Sequence, residues 1–78
     1  MTRLPVLRPE ELAKILDKLG FVNTRRSKGS HFRYCHPDGR KTTIPFHRGK
    51  TVGRGLLSKI LRDVKITVSE LEQLLKQG

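Results

Sequence analysis

The segment Lys28-Gly29-Ser30-His31-Phe32-Arg33 brings together residue types that suit phosphodiester cleavage. Histidine exchanges protons near neutral pH, and RNA carries its own nucleophile, the 2′-hydroxyl group. One base beside cations that stabilise charge on the phosphate can start that attack without a metal ion. His31 is the candidate base, and Lys28, Gly29, Ser30 and Arg33 are candidate phosphate contacts. A surface histidine is more often inert than catalytic, so the segment alone leaves both interpretations open.

Two further histidines, His36 and His47, lie outside this segment. His36 directly precedes Pro37-Asp38-Gly39, a turn signal, and we expect it to form local hydrogen bonds there. His47 begins a basic loop. There it is either a second acid–base residue or a phosphate contact, because proton transfer needs a partner within hydrogen-bond reach.

The single cysteine, Cys35, limits which disulfide, metal and cysteine-based catalytic sites the chain can form. One cysteine cannot build a disulfide framework or a four-cysteine zinc site. A zinc site from Cys35, His36 and His47 is not expected, because adjacent strand residues point to opposite faces of a sheet. No Asp or Asn is placed to orient a base beside Cys35, so an inert strand cysteine is the better interpretation. We therefore expect no metal and no other cofactor.

The stretch Gly49-Lys50-Thr51-Val52-Gly53-Arg54-Gly55 is only superficially like a phosphate-binding loop. It lacks the Gly-x-x-x-x-Gly-Lys-Ser/Thr pattern, which excludes a nucleoside triphosphatase of that type. It leads into a predicted helix, where exposed N–H groups, the helix dipole, Lys50 and Arg54 would together hold a phosphate. A flexible solvated loop is the equally acceptable alternative.

Positive charge is concentrated in the middle of the chain. The protein has 17 Lys and Arg against 7 Asp and Glu, a net charge of +10. Twelve of the basic residues, but only Asp38 and Asp63 among the acids, lie between residues 25 and 65, so this stretch carries the whole net charge. So few opposite charges favour a phosphate-binding face over a merely solubilising surface.

Hydrophobic periodicity predicts three helices. The first covers residues 9–19, with Pro9 at the first helical position and Gly20 as the expected stop. The second follows the basic loop. The third begins at Thr67, and Glu70 three residues later completes a capping box. The three apolar stripes consist of Leu12, Ile15, Leu16 and Leu19, of Leu56, Leu57, Ile60, Leu61 and Val64, and of Leu71, Leu74 and Leu75.

Residues 21–46 are rich in Phe, Val, Thr, Tyr and Ile, which predicts strands. Turn signals at residues 28–30 and 37–39 divide the stretch into a three-stranded meander. Pro45 cannot donate a ladder hydrogen bond, so the third strand is expected at the edge of the sheet.

The predicted fold is an α+β two-layer sandwich in α-β-β-β-α order with a short additional C-terminal helix. Double-stranded-RNA-binding domains share this layout, which is an analogy of fold and does not assign function. Strand alternation puts Phe32 and Tyr34 under the helices and His31 and Arg33 on the opposite face.

At 78 residues, the chain is expected to be one domain over residues 1–78 with a thin core. Any chemistry should therefore occur in a surface groove and not in a deep cofactor pocket. The first residues contain no apolar run long enough for a signal peptide or a membrane span. We therefore expect a cytoplasmic protein with no membrane partner.

Along nearly its whole length, the chain resembles the HicA toxin family, also called YcfA-like proteins. The resemblance rests on the Gly-Ser-His element followed, in order, by Pro-x-His and Ile-Leu-Arg elements. The matching residues are Pro9-Glu10-Glu11, Leu19-Gly20-Phe21, Lys28-Gly29-Ser30-His31-Phe32-Arg33-Tyr34, Ile44-Pro45-Phe46-His47 and Ile60-Leu61-Arg62-Asp63. The family usually has Gly-Thr-Leu at the start of the second helix, whereas this chain has Gly55 in place of the hydroxyl residue.

The resemblance implies a metal-independent endoribonuclease that cuts messenger RNA, with a fold like that of double-stranded-RNA-binding domains. It implies that His31, the histidine of Gly-Ser-His, is the catalytic residue. It also implies a HicB-like antitoxin protein that occludes the catalytic region. Expected RNA contacts are Lys28, Gly29, Ser30, Arg33, His47, Lys50 and Arg54.

Two other functions fit the same charge and fold. A non-catalytic RNA-binding module would bind duplexes by shape and leave them intact. A protein-interaction domain would receive an acidic partner on its basic face, and a steep salt dependence of RNA binding would count against that as the sole role.

Overall fold

A computed structural model of the protein describes residues 4–24, 30–46 and 49–77. Its elements confirm the α+β class and the order of helix, three strands and two helices, as in the double-stranded-RNA-binding layout. In chain order they are α1 (Pro9–Lys18), β1 (Val22–Asn23), β2 (His31–Cys35), β3 (Lys41–Pro45), α2 (Arg54–Val64) and α3 (Val68–Lys76). The strands form one antiparallel sheet in the order β1-β2-β3.

Helix α1 begins and ends as its sequence predicts. Pro9 is its first residue, and the backbone N–H of Arg8 donates to Glu11 Oε1 at 2.9 Å. At the other end Gly20 has a φ of 94°, and its N–H donates to the carbonyl of Asp17. The next N–H, that of Phe21, reaches back to the carbonyl of Leu16. This pair of bonds is a Schellman motif, which needs the left-handed residue that glycine supplies.

A three-residue link, residues 65–67, joins α2 to α3. Lys65 adopts the left-handed conformation (φ 58°), which ends α2 and reverses the chain. The predicted capping box then starts α3, because Glu70 N–H donates to Thr67 Oγ1 at 3.1 Å and Thr67 N–H donates to Glu70 Oε1 at 2.9 Å. Leu71 is fully buried and fastens the short helix to the core.

The helices cover one face of the sheet, as predicted. Tyr34 and Ile44 are buried there, with Phe32 and Phe46 packed partly buried beside them. Burial raises the pKa of the Tyr34 hydroxyl, and the charge of Asp17 raises it further. The rest of the core consists of Leu7, Leu12, Ile15, Leu16, Phe21, Val52, Leu57, Ile60, Leu61, Val64 and Leu71.

We call the other face of the sheet the open face. Its side chains on the two longer strands are His31, Arg33 and Cys35 of β2 and Lys41, Thr43 and Pro45 of β3. They oppose one another as His31 with Pro45, Arg33 with Thr43, and Cys35 with Lys41. Because the flanking bonds run from Phe46 N–H to Ser30 O and from His36 N–H to Arg40 O, these three are the non-hydrogen-bonded pairs, whose side chains stand closest.

Strand β3 is an edge strand, which confirms the expectation from Pro45. In a non-hydrogen-bonded pair the backbone groups of each residue point away from the partner strand. The nitrogen of Pro45 therefore faces outward, where a missing N–H costs no ladder bond.

The segment before α1 is tied to the loop before α2 by an isolated antiparallel bridge between Leu7 and Val52. The N–H of Val52 donates to the Leu7 carbonyl at 2.7 Å, and both side chains are buried. Among the residues that the structure describes, no helix is long and apolar enough to cross a membrane.

Candidate nucleic-acid interface

His31 and Arg33 lie exposed on the open face of the central strand. Across the strand pair, His31 lies opposite Pro45 and Arg33 lies opposite Thr43. The predicted base and one predicted phosphate ligand are therefore neighbours on the same face, separated by two strand positions, or about 6.6 Å along the strand. A phosphodiester lying on this face meets an imidazole, a guanidinium and a hydroxyl group together.

Contacts on the helix-covered face stabilise the end of β2 that carries His31. The rings of Phe32 and Phe46 pack with their centroids 4.6 Å apart on the helix-covered face. Phe46 also donates its N–H to the Ser30 carbonyl at 2.6 Å, which extends the ladder one residue beyond His31. This aromatic pair and ladder bond hold the backbone of His31 in place.

Three of the predicted contacts, Lys28, Gly29 and His47, lie outside the described residues. In the sequence, Gly29 is two residues before His31 and His47 is two residues after Pro45. Their roles remain the predictions made from the sequence.

Lys50 and Arg54 are both exposed, and they flank the start of α2. The helix begins at Arg54 after Gly53, whose extended backbone caps it with no side-chain bond, and its first turn contains no acid. The loop leaves β3 next to His31, because Pro45 is the last residue of that strand. The start of α2 thus has unpaired N–H groups and no acid in its first turn, and phosphate binding by Lys50 and Arg54 there stays a prediction.

His36 performs the local role predicted for it. Its Nε2 lies 3.1 Å from the Leu19 carbonyl, which requires Nε2–H to donate, and its Nδ1 accepts from the Asp38 N–H at 3.1 Å. Its ring meets Phe21 edge-on, with the centroids 5.1 Å apart. His36 therefore joins the end of α1 to the β2–β3 turn and belongs to the fold.

Arg40 also belongs to the fold, although the sequence counts it within the basic stretch. Its Nε donates to Asp38 Oδ2 at 2.7 Å, a terminal nitrogen donates to the Val64 carbonyl at 2.6 Å, and its guanidinium lies 5.2 Å from the Phe21 ring centre. The Arg40 backbone N–H, which donates to Asp38, is the main reason that the pKa of Asp38 lies below its ordinary value. Arg40, one of the cations of the basic stretch, is thus bound by partners within the protein.

Cys35 is half-buried on the open face opposite Lys41 and Val22. Within residues 4–24, 30–46 and 49–77, no group of three His, Cys, Asp or Glu side chains is placed to hold a metal ion.

Sequence reasoning missed a shallow depression of about 180 Å³ where the open face meets the edge strand and α2. Its lining residues are Arg33, Lys41, Thr42, Thr43, Lys59 and Asp63. Lys41 was detectable from the strand alternation that found Arg33, but Lys59 comes from a helix distant in sequence. We call this feature the edge depression.

The comparisons with known proteins give a family match. A family model described as the HicA toxin of bacterial toxin–antitoxin systems matches residues 9–66. The matched stretch runs from the first residue of α1 through the whole sheet and α2, so it contains His31, Arg33, Lys50, Arg54 and the edge depression. A search of curated proteins found no match.

Proposed function

Because the chain belongs to the HicA toxin family of bacterial toxin–antitoxin systems, we propose that it is an endoribonuclease toxin that cuts messenger RNA. One observation carries the proposal: His31 is exposed beside Arg33 on an open, cationic sheet face. An open face admits a polynucleotide chain, whereas a closed pocket would admit only a small molecule.

In the proposed reaction, the RNA 2′-oxygen attacks the adjacent phosphorus. His31 takes the 2′-hydroxyl proton as general base, or its imidazolium gives a proton to the departing 5′-oxygen as general acid, and the other proton is exchanged with solvent water. The bond from phosphorus to the 5′-oxygen breaks. The products are a 2′,3′-cyclic phosphate and a 5′-hydroxyl end, and no water or redox partner is consumed in this step.

Cations assist by stabilising charge at phosphorus. Arg33 is two strand positions from His31, Lys50 precedes α2, and Arg54 is the first residue of that helix. Guanidinium and ammonium groups aimed at a phosphate stabilise the extra negative charge of the pentacoordinate transition state. Lys28, Gly29, Ser30 and His47 are proposed to complete the RNA contacts.

The test is cleavage of purified messenger RNA in EDTA by wild type and His31→Ala. Wild type should give 2′,3′-cyclic ends, and the variant should be slower by about 10²–10⁴-fold. A synthetic RNA with one 2′-deoxy residue at a mapped cutting position is the matched control and should survive at that position. Equal cutting by His31→Ala, or cutting at the 2′-deoxy position, would overturn the mechanism.

The double-stranded-RNA-binding layout of the fold supports a second candidate, a non-catalytic RNA-binding module. That function predicts shape-dependent binding to duplexes, no product after long incubation, and no role for His31. The same cleavage test distinguishes the two functions, because RNA that stays intact with the wild-type protein favours the non-catalytic RNA-binding module.

A toxin of this family implies an antitoxin partner, and we propose that the partner is HicB-like and covers the open face. The exposed cations there would receive acidic side chains of the antitoxin. Purified antitoxin should therefore compete with RNA for the toxin, and RNA cleavage in its presence should cease. Unchanged cleavage in a stable complex would show that the antitoxin binds elsewhere.

A further inference from the structure

The edge depression brings together two lysines from different layers of the fold. Lys41 begins β3, and Lys59 lies in the middle of α2, beyond the edge of the sheet. Thr42 connects the layers, because its buried hydroxyl donates to Asp63 Oδ2 at 3.0 Å on the same helix. The relative position of the two lysines is therefore fixed by a bonded contact between β3 and α2.

The depression is cationic despite Asp63. Three positive side chains, Arg33, Lys41 and Lys59, line it against one carboxylate. Lys59 Nζ lies 3.4 Å from Asp63 Oδ2, and its side chain is 66% exposed, so this ion pair is a weak one. The Lys59 ammonium group can therefore turn to an incoming anion at little cost, while Thr42 continues to hold the carboxylate.

The depression is continuous with the proposed cleavage site. Arg33 belongs to both, since it neighbours His31 along β2 and also lines the depression. Lys41 opposes Cys35, four strand positions from His31, which is about 13 Å along the strand. A chain of phosphates that starts at His31 therefore meets Arg33 first, then Lys41, and then Lys59 at the edge.

The chemistry of the lining favours RNA over protein. Every side chain in it is charged or carries a hydroxyl group. Protein-binding surfaces have an apolar, often aromatic centre, whereas Arg, Lys and Thr are usual contacts of nucleic-acid phosphates. Its small volume and open shape suit a backbone that passes over it.

We infer that the edge depression is a phosphate subsite, in which Lys41 and Lys59 hold the RNA backbone a few nucleotides from the bond that His31 cuts. This inference rests on the proposed function. It assigns RNA binding to two residues that sequence reasoning did not select, and it gives the RNA a direction across the sheet, from the end of β2 that carries His31 towards the turn end of β3.

The test measures how the affinity for a fluorescent single-stranded RNA depends on salt, in the His31→Ala background so that the RNA stays intact. Each lost phosphate contact lowers the slope of log K against log salt by about 0.7 for single strands. The Lys41→Gln/Lys59→Gln double variant should therefore lower the slope by about 1.4, and Lys41→Gln alone by about 0.7. The control pair Lys14→Gln/Lys76→Gln, exposed on α1 and α3, should leave it unchanged.

Each outcome is informative. An unchanged slope in the double variant overturns the subsite, and His31-dependent cleavage by protein that retains His31 would show that the proposed function still stands. Binding of polyglutamate, an acidic polypeptide, is measured with the same variants. If the double variant loses polyglutamate binding but keeps RNA binding, the depression is assigned to an acidic protein instead. Failure of the His31→Ala protein and of wild type to bind RNA at all would remove both the subsite and the proposed function.

Discussion

The two ends of the β2–β3 hairpin carry similar residues with opposite environments. At the turn end, His36 and Arg40 donate or accept hydrogen bonds within the protein, and their side chains are 21% and 22% exposed. At the other end His31 lies exposed on the open face, with Arg33 next to it on the strand. Histidine and arginine at the turn end are held within the fold, while at the other end they lie exposed on the face where RNA is proposed to bind.

The difference shows that residue type and local charge do not by themselves assign a role. Both histidines lie in basic surroundings, and both flank a glycine-containing turn signal. What separates them is exposure, because the His36 side chain is only 21% exposed whereas His31 lies exposed on the open face. The Leu19 carbonyl and the Asp38 N–H meet both nitrogens of the His36 ring, so that this ring is fully used by the protein.

The largest expected effect separates the two histidines by activity. His31→Ala should reduce RNA cleavage by about 10²–10⁴-fold, the usual contribution of a general acid–base group. His36→Ala should cut within about threefold of wild type at a temperature where it is folded, because His36 bonds only to the scaffold in this hairpin. Initial rates on one labelled RNA check this, and a collapse of activity in folded His36→Ala would contradict the division of roles.

The second effect separates them by stability. His36→Ala leaves the Leu19 carbonyl and the Asp38 N–H without their partner and removes the contact with Phe21, so the free energy of unfolding should fall by about 1–3 kcal/mol. His31→Ala should lower it by less than His36→Ala does, because the His31 side chain is exposed and that of His36 is not. Urea titrations of both variants at one pH make the comparison.

A smaller effect distinguishes two basic residues next to each other in sequence. Arg40→Gln should lower the free energy of unfolding by about 1–2 kcal/mol, because the Val64 carbonyl loses its guanidinium donor. It should leave the salt slope of RNA binding unchanged. Lys41→Gln should lower the slope and leave the free energy of unfolding nearly unchanged, and a lowered slope in Arg40→Gln would show that Arg40 also contacts the RNA.

The smallest effect is a pH dependence at the turn. Hydrogen bonding to Arg40 lowers the pKa of Asp38 in the folded protein, so this carboxylate contributes stability that is present above its unfolded pKa of about 3.9. That contribution is lost as the pH falls through the lower, folded pKa. Asp38→Asn should flatten the acid side of the stability curve slightly. Thermal melts between about pH 2 and 5 compare the variant with wild type, and identical curves would show that the carboxylate has no stabilising role.

Much of the fold follows from short-range patterns, and these were confirmed. Pro9, Gly20 and the Thr67–Glu70 capping box each act within a few residues of their own position, so the sequence contains the whole cause. The same holds for the alternation along β2 that exposes His31 and buries Tyr34. The assignment of His31 as the catalytic residue came from the family resemblance, since the residues alone made it only a candidate.

The remaining features depend on contacts between distant segments. Arg40 turns inward because the end of α2 presents the Val64 carbonyl to it, 24 residues away. Lys59 and Lys41 line the same depression because β3 and α2 pack side by side, and no local sequence pattern in either segment predicts this. These contacts decide which cations of the basic stretch remain available, and the charge count alone could not distinguish them.

The outward nitrogen of Pro45 has a consequence for how this protein behaves at high concentration. An exposed strand edge is a template for another strand, and continued pairing of that kind leads to aggregates. Any strand aligned along β3 would find no donor at Pro45, directly opposite His31. Lys41 adds like-charge repulsion between two copies at the other end of the same edge. The edge strand β3 thus disfavours strand pairing between copies of the protein. The protein can therefore resist aggregation while the open face stays uncovered.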